Sequence, residues 1–153
     1  MTPARFRRLA AFWPPFLAAG IRVLAVADDW RHVRVRLRRL WFNANYVGTH
    51  FGGSLFAMTD PFWMIMLLEN LGRGYVVWDK AAEIEFVAAL KVDVFADFRL
   101  EPAVVDEIRS AAQGGAKVLR WFEVEVRTAD GELAARVRKQ VYVRLKGPPR
   151  PGG

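Results

Sequence analysis

Asn43, Asn45, His50, Gly52, Gly53, Ser54 and Asp60 bring amide, imidazole, hydroxyl and carboxylate groups into one short stretch of the chain. A loop with two Asn, a His and a Gly pair that leads into a helix has a definite chemical capacity. The first four amides of a helix lack internal partners, and the helix dipole draws negative charge toward them. Gly52 and Gly53 have no side chains, so a carbonyl oxygen can approach those amides, as in the oxyanion hole of acyl transfer. The same pair also suits a plain tight turn into a helix. Asp60-Pro61 has two bland readings: Asp as N-cap with Pro at the first helical position, or Pro61 kinking a continuous helix. The kink would free the Ala57 carbonyl at a cost of about 3 kcal/mol. His50 acts as a base only if it reaches a proton, and is otherwise a loop residue. Asn43 and Asn45 fit Asx turns that hold the loop.

The elements that must position this cluster follow from periodicity. From Gly53 to Leu71 the chain is apolar nearly all round, and a helix without a wet face has to be buried. The remaining chain alternates. Ile21, Val23 and Ala25 share a face, and after a turn at Asp28-Asp29, Val33, Val35 and Leu37 oppose His32, Arg34 and Arg36. Such period-2 patterning marks antiparallel strands. Further strands are expected over 75–78, 82–86, 92–100, 118–127 and 133–145, with Thr128-Ala129-Asp130-Gly131 as a hairpin turn. Lys139 interrupts an inward face, which suits only an edge or partner-facing position. Short helices are expected over 5–12, stopped by Trp13-Pro14-Pro15, and over 102–112. Several strands and one buried helix predict an α+β fold, a curled antiparallel sheet around that helix. A single domain should span 1–146, with 1–20 as a helical, Pro-rich lead-in and 147–153 as a frayed tail.

Composition narrows the classes. At 153 residues the chain is one domain, and 53% hydrophobic against 25% charged argues for a packed globule. A single sheet cannot hide that much apolar surface, so a dimer is expected. With no Cys and only two His, a thiolate or multi-histidine metal site is excluded from expectation, and none is predicted. The charge of +7 points to an anionic partner. Arg31, Arg34, Arg36, Arg38 and Arg39 crowd one strand, and Arg136, Arg138, Lys139 and Arg144 another. They suit phosphate, although alternating Arg also simply discourages edge pairing. Nucleic-acid binding is the weaker option, with Trp30 and Trp121 as its only stacking candidates. Arg5, Arg7 and Arg8 before an apolar stretch superficially resemble a signal peptide, but the prolines and the following strand argue against one. No apolar run is long enough to span a membrane, and the chain is expected in the cytoplasm.

The run Asn45-Tyr46-Val47-Gly48-Thr49-His50-Phe51-Gly52-Gly53-Ser54, continuing to Asp60-Pro61-Phe62, resembles the helix-start motif of hotdog-fold thioesterases of the PaaI-like branch. The likeness extends to Trp78-Asp79-Lys80-Ala81-Ala82-Glu83 and the closing hairpin, and within that superfamily it looks nearest to the DUF4442 group. One departure stands out: the family's usual His before Gly-Gly is Phe51 here, with His50 one place earlier. The resemblance implies a hotdog fold and Asp60 as catalytic base or nucleophile. It further implies Asn45 orienting water or thioester, and the Gly53 amide polarising the carbonyl.

Hydrolysis of an acyl-CoA thioester is therefore the expected activity, with coenzyme A as part of the substrate and no other cofactor. Substrate contacts are expected from His50, Gly52, Ser54, Phe56, Met58 and Trp63, the acyl tail lying near Phe56, Met58 and Trp63. On a continuous helix Asp60 would sit about 20° around from Gly53 and roughly 10 Å along it. One chain's amide and carboxylate could not then reach the same carbonyl carbon. A homodimer, or dimer of dimers, with the carboxylate lent by the partner meets that constraint. The alternatives are an acyl-CoA or lipid binder without catalysis and a basic nucleic-acid or membrane-surface protein.

Overall fold

In a computed structural model, which describes residues 1–147, six strands form one antiparallel sheet. They are β1 (Ile21–Val26), β2 (His32–Leu37), β3 (Tyr75–Phe86), β4 (Val94–Arg99), β5 (Val118–Thr128) and β6 (Leu133–Leu145), ordered β1-β2-β4-β5-β6-β3. The expected strands 75–78 and 82–86 are one strand, with a bulge between Asp79 and Ala81 as β3 runs along β6. The bulge keeps Asp79 and Ile84 on the inward face although their spacing is odd. Gly131, at φ +90°, makes the turn from β5 to β6.

Helices α1 (Pro3–Phe12) and α2 (Pro14–Ala19) divide at Trp13, whose extended backbone is what a following proline imposes. Helix α5 (Pro102–Ala111) starts on its proline as expected. The expected tail at 147–153 lies, past residue 147, outside the described residues.

The apolar segment crosses the sheet's inward face as two helices, α3 (Gly52–Ala57) and α4 (Phe62–Leu71). The fold is the expected α+β arrangement, but its central rod is divided. Pro61 has no N–H to give the Ala57 carbonyl, and Asp60 N takes that carbonyl instead at 3.1 Å. The Thr59 hydroxyl and amide both turn back onto Phe56 O, at 2.7 and 3.0 Å. A side chain bonding its own backbone in this way competes with helix continuation. Neither bland reading of Asp60-Pro61 is realised: Pro61 holds the N-cap position of α4, and no side chain caps it.

Val33, Val35 and Leu37 of β2, Val94, Ala96 and Phe98 of β4, and Val137, Val141 and Val143 of β6 pack against Met58, Phe62, Met66 and Leu67. Phe98 meets Phe62 at 5.1 Å and Trp63 at 5.5 Å, and Trp63 stacks on Phe122 at 4.7 Å. Rings in this geometry contribute about 0.5–1.5 kcal/mol per pair beyond their buried area.

Candidate active site

The loop before α3 is held by its own amides. Asn43 donates to Ala19 O and Arg38 O at 2.8 and 2.7 Å and accepts from Leu40 N at 2.8 Å, joining α2 to the end of β2. Asn45 accepts from Thr49 N at 2.9 Å and donates to Thr49 Oγ1 at 2.8 Å and His50 O at 3.2 Å. Both asparagines therefore hold the loop, and the Asn45 amide is spent on that task in the single chain.

His50 is buried, and its Nε2 lies 2.7 Å from Val92 O. A carbonyl only accepts, so Nε2 carries the hydrogen. Burial, first among the causes, holds the imidazole below its ordinary pKa of 6.5. The ring is then neutral, with a bare lone pair on Nδ1, which is buried without a partner among the described residues.

Helix α3 begins directly after. Ser54 N and Leu55 N both turn to Phe51 O, at 2.9 and 3.2 Å, while nothing among the described residues accepts from the amides of Gly52 and Gly53. Two rings lie across these glycines. A Cβ on Gly52 would come 2.9 Å from Phe86 Cζ, and one on Gly53 would run into the Phe51 ring. Both rings are exposed. Ser54 is buried in the first turn.

At the other end of α3, Asp60 meets Lys139 of β6, which also donates to Asp79 of β3 at 3.0 Å. The Lys139 side chain is only 4% exposed, against 19% for Asp79 and 52% for Asp60. Its Nζ also lies 5.7 Å from the centre of the Phe56 ring. Lysine so deeply buried needs compensation for lost hydration, and two carboxylates with an aromatic face supply it. Lys139 therefore sits on the inward face, at neither an edge nor a partner-facing position. Burial pushes the Asp79 carboxyl above the usual carboxylate range, against the opposing pull of Lys139, and Asp79 Oδ1 has no hydrogen-bond partner among the described residues.

Asn45, Thr49, His50, Gly52, Leu55 and the chain from Phe86 to Ala89 line an open cavity of about 420 Å³. Of the expected site residues, then, Asn45, His50 and Gly52 meet at one cavity, with Gly53 next in the chain. Asp60 does not line it. Phe56 lies over Lys139. Met58 and Trp63 are wholly engaged by the core, Trp63 between Phe98 and Phe122. Because α3 and α4 are separate helices, the continuous-helix spacing of Gly53 and Asp60 does not apply. Sequence reasoning missed Asp79 and the role of Lys139. Their signal was a charged residue at an inward position in each of two adjacent strands.

The expected phosphate-binding arginines are largely paired within the sheet. Arg136 reaches Glu85 and Glu125 at 3.3 and 3.4 Å, Arg138 reaches Glu83 at 3.0 Å, and Arg34 lies 3.7 Å from Asp97. Trp30 is buried against Phe6, and Trp121 carries the Arg138 guanidinium over its face, so Trp30 offers no base-stacking surface.

Among solved structures, the chain is similar to PA5026 from Pseudomonas aeruginosa, described as a protein of unknown function and probable thioesterase. Identity is 20%, the match covers 94% of this chain and 97% of that one, and the TM-score is 0.83. It is similar also to thioesterase HI1161 from Haemophilus influenzae (13% identity, 95% and 92% covered, TM-score 0.68) and to a mutant of thioesterase PA1618 from Pseudomonas aeruginosa (12%, 93% and 94%, 0.68). At these identities the likeness establishes the hotdog fold. No curated protein matches the chain. Residues 3–143 match the family described as a domain of unknown function, DUF4442, and the chain, a hotdog-fold protein along that whole length, belongs to this family.

Proposed function

We infer that the protein is an acyl-CoA thioesterase working as a homodimer. The observation that carries this reading is the pair of unpartnered amides at Gly52 and Gly53, opening beside a cavity lined by a neutral His50. The thioester carbonyl oxygen would accept from the Gly53 amide, whose charge-stabilising effect is greatest as the oxygen becomes anionic. Water would add to the carbonyl carbon while a carboxylate takes its proton. The C–S bond would then break, giving a carboxylic acid and the coenzyme A thiol.

Asp60 does not line its own chain's cavity, so the carboxylate is assigned to the partner subunit's Asp60. The edge of the sheet supports such pairing. Strand β3 has twelve residues, lies at the end of the strand order and exposes Val76, Trp78 and Phe86. An uncovered edge strand of this length is a template for a second chain. Hydrolysis of a panel of acyl-CoAs tests the reading. Asp60→Asn is expected to lower turnover at least about a hundredfold, the scale of lost general-base catalysis. Equal rates in both proteins would remove Asp60 from the mechanism.

One observation favours a second reading. Lys139 engages Asp60 directly, so that carboxylate already has a cationic partner within its own chain. In a non-catalytic acyl-CoA binder the cavity would persist while Asp60 served only to neutralise Lys139. Saturable acyl-CoA binding without turnover would identify that case.

A further inference from the structure

The sheet balances much of its own charge, as the pairs of Arg34, Arg136 and Arg138 show. The N-terminal helices do not. Residues 1–27 contain Arg5, Arg7, Arg8 and Arg22 and no Asp or Glu. Arg22 and Arg7 donate to backbone carbonyls, Ala11 O at 2.6 Å and Leu24 O at 3.3 Å. Arg5 and Arg8 are exposed. The nearby acidic groups are otherwise engaged: Glu69 of α4 faces the Met1 ammonium at 3.9 Å, and Asp60 is on Lys139.

The positions of these arginines matter more than their number. Arg5, Arg8, Leu9 and Phe12 recur at i, i+3, i+4 and i+7, so they form one stripe of α1. The neighbouring face, with Phe6 and Ala10, packs inward, Phe6 against Trp30 at 5.4 Å. On the outward stripe Leu9 is 54% exposed and Phe12 79%. Trp13 and Leu17 continue the exposed apolar surface across the break into α2. Leu9, Phe12 and Trp13 also line an apolar groove of about 480 Å³ between α1, α2 and α4, together with Phe16, Pro61 and Ile65.

We propose that the outward face of α1 and α2 docks the protein peripherally on an anionic lipid bilayer, with Leu9, Phe12, Trp13 and Leu17 at the acyl boundary and Arg5 and Arg8 on lipid phosphates. Basic residues interleaved with exposed aromatic and aliphatic ones are the composition of an interfacial helix, and tryptophan favours the boundary between headgroup and chain. A second copy of the chain fits the face poorly. A two-fold contact presents the same patch from both sides, which would gather two uncompensated sets of arginines in one interface. Nor does any helix of the described residues have the length and apolarity to cross a membrane, so the attachment is to the surface. This inference does not rest on thioesterase activity.

Flotation of the full chain tests it, with vesicles of phosphatidylcholine alone and of phosphatidylcholine mixed with phosphatidylglycerol. The protein is expected to float with the mixed vesicles at least about tenfold more than with the neutral ones, and to be released by salt. Arg5→Glu with Arg8→Glu should abolish the preference for anionic lipid, and Leu9→Ser with Phe12→Ser should weaken binding to the mixed vesicles at low salt. Equal binding to both vesicle types, or binding to neither, overturns the proposal without reference to any variant. A drop in molar mass on light scattering of Leu9→Ser with Phe12→Ser, together with no vesicle binding by the unaltered protein, would assign the face to a second copy and equally overturn it.

Discussion

At the scale of single residues, the most informative group is Lys139 with Asp60 and Asp79. The two carboxylates are not equivalent. Asp60 is half in water, and an ion pair so placed contributes about 0–1 kcal/mol. Asp79 is mostly buried, and removing its partner Lys139 would leave an uncompensated charge at a cost of about 3–5 kcal/mol. Lys139→Met is therefore expected to destabilise the fold by about that amount in urea unfolding, with Asp79→Asn in the same chain recovering part of the loss. A Lys139→Met protein as stable as the parent would mean that the triad is held by something other than charge.

His50 makes a prediction about pH. Its folded pKa lies below 6.5 because burial disfavours the charged ring. As pH falls through 6.5 the unfolded chain takes up a proton before the folded one does, so stability declines on acidification and is unaffected above that range. Between about pH 7.5 and 5.5 the thermal midpoint of the parent should fall further than that of His50→Gln. Parallel curves would show that His50 titrates alike in both states.

At the scale of elements, the question is how the start of α3 is kept open. Gly52 and Gly53 have bare amides, and the Phe86 and Phe51 rings fill the space where side chains would be. Since both residues are exposed and the rings can turn, an added methyl can push them aside. Alanine is also better than glycine within a helix by about 0.5–1 kcal/mol. Gly53→Ala should leave the melting temperature unchanged or slightly raised while acyl-CoA turnover falls at least about tenfold, a barrier change near 1.4 kcal/mol. Unchanged turnover would show that no carbonyl approaches that amide. The same region shows where sequence reading stopped. The alternation of Val33, Val35 and Leu37 against His32, Arg34 and Arg36 is local and was fully legible. Whether the central segment divides or only kinks at Asp60-Pro61 was not, because continuous apolarity says that a helix is buried without saying whether it is unbroken. Thr59 and Pro61 together decided that.

At the scale of the whole molecule, an edge strand and a cavity without Asp60 both bear on the proposed dimer. Strand β3 leaves apolar side chains and one row of backbone groups uncovered, and the cavity of one chain has amides and an imidazole but not Asp60. Val76→Lys with Trp78→Lys should blunt that edge as charged residues do elsewhere, halving the molar mass seen by light scattering and abolishing hydrolysis in the same protein. A monomeric variant with full activity would show that each chain holds a complete site.

The amino-acid sequence alone determined the α+β class, the strands with their inward faces and the loop where amide, imidazole and carboxylate chemistry gathers. Those properties follow from periodicity and residue type over short spans, where hydrophobic burial and backbone preference act locally. Only the tertiary structure decided that Trp63 belongs to the core and that Lys139 lies between two carboxylates. Those outcomes depend on which strands become neighbours. The bulge between Asp79 and Ala81 sets the register of β3 on β6, and that register brings Asp79 to Lys139.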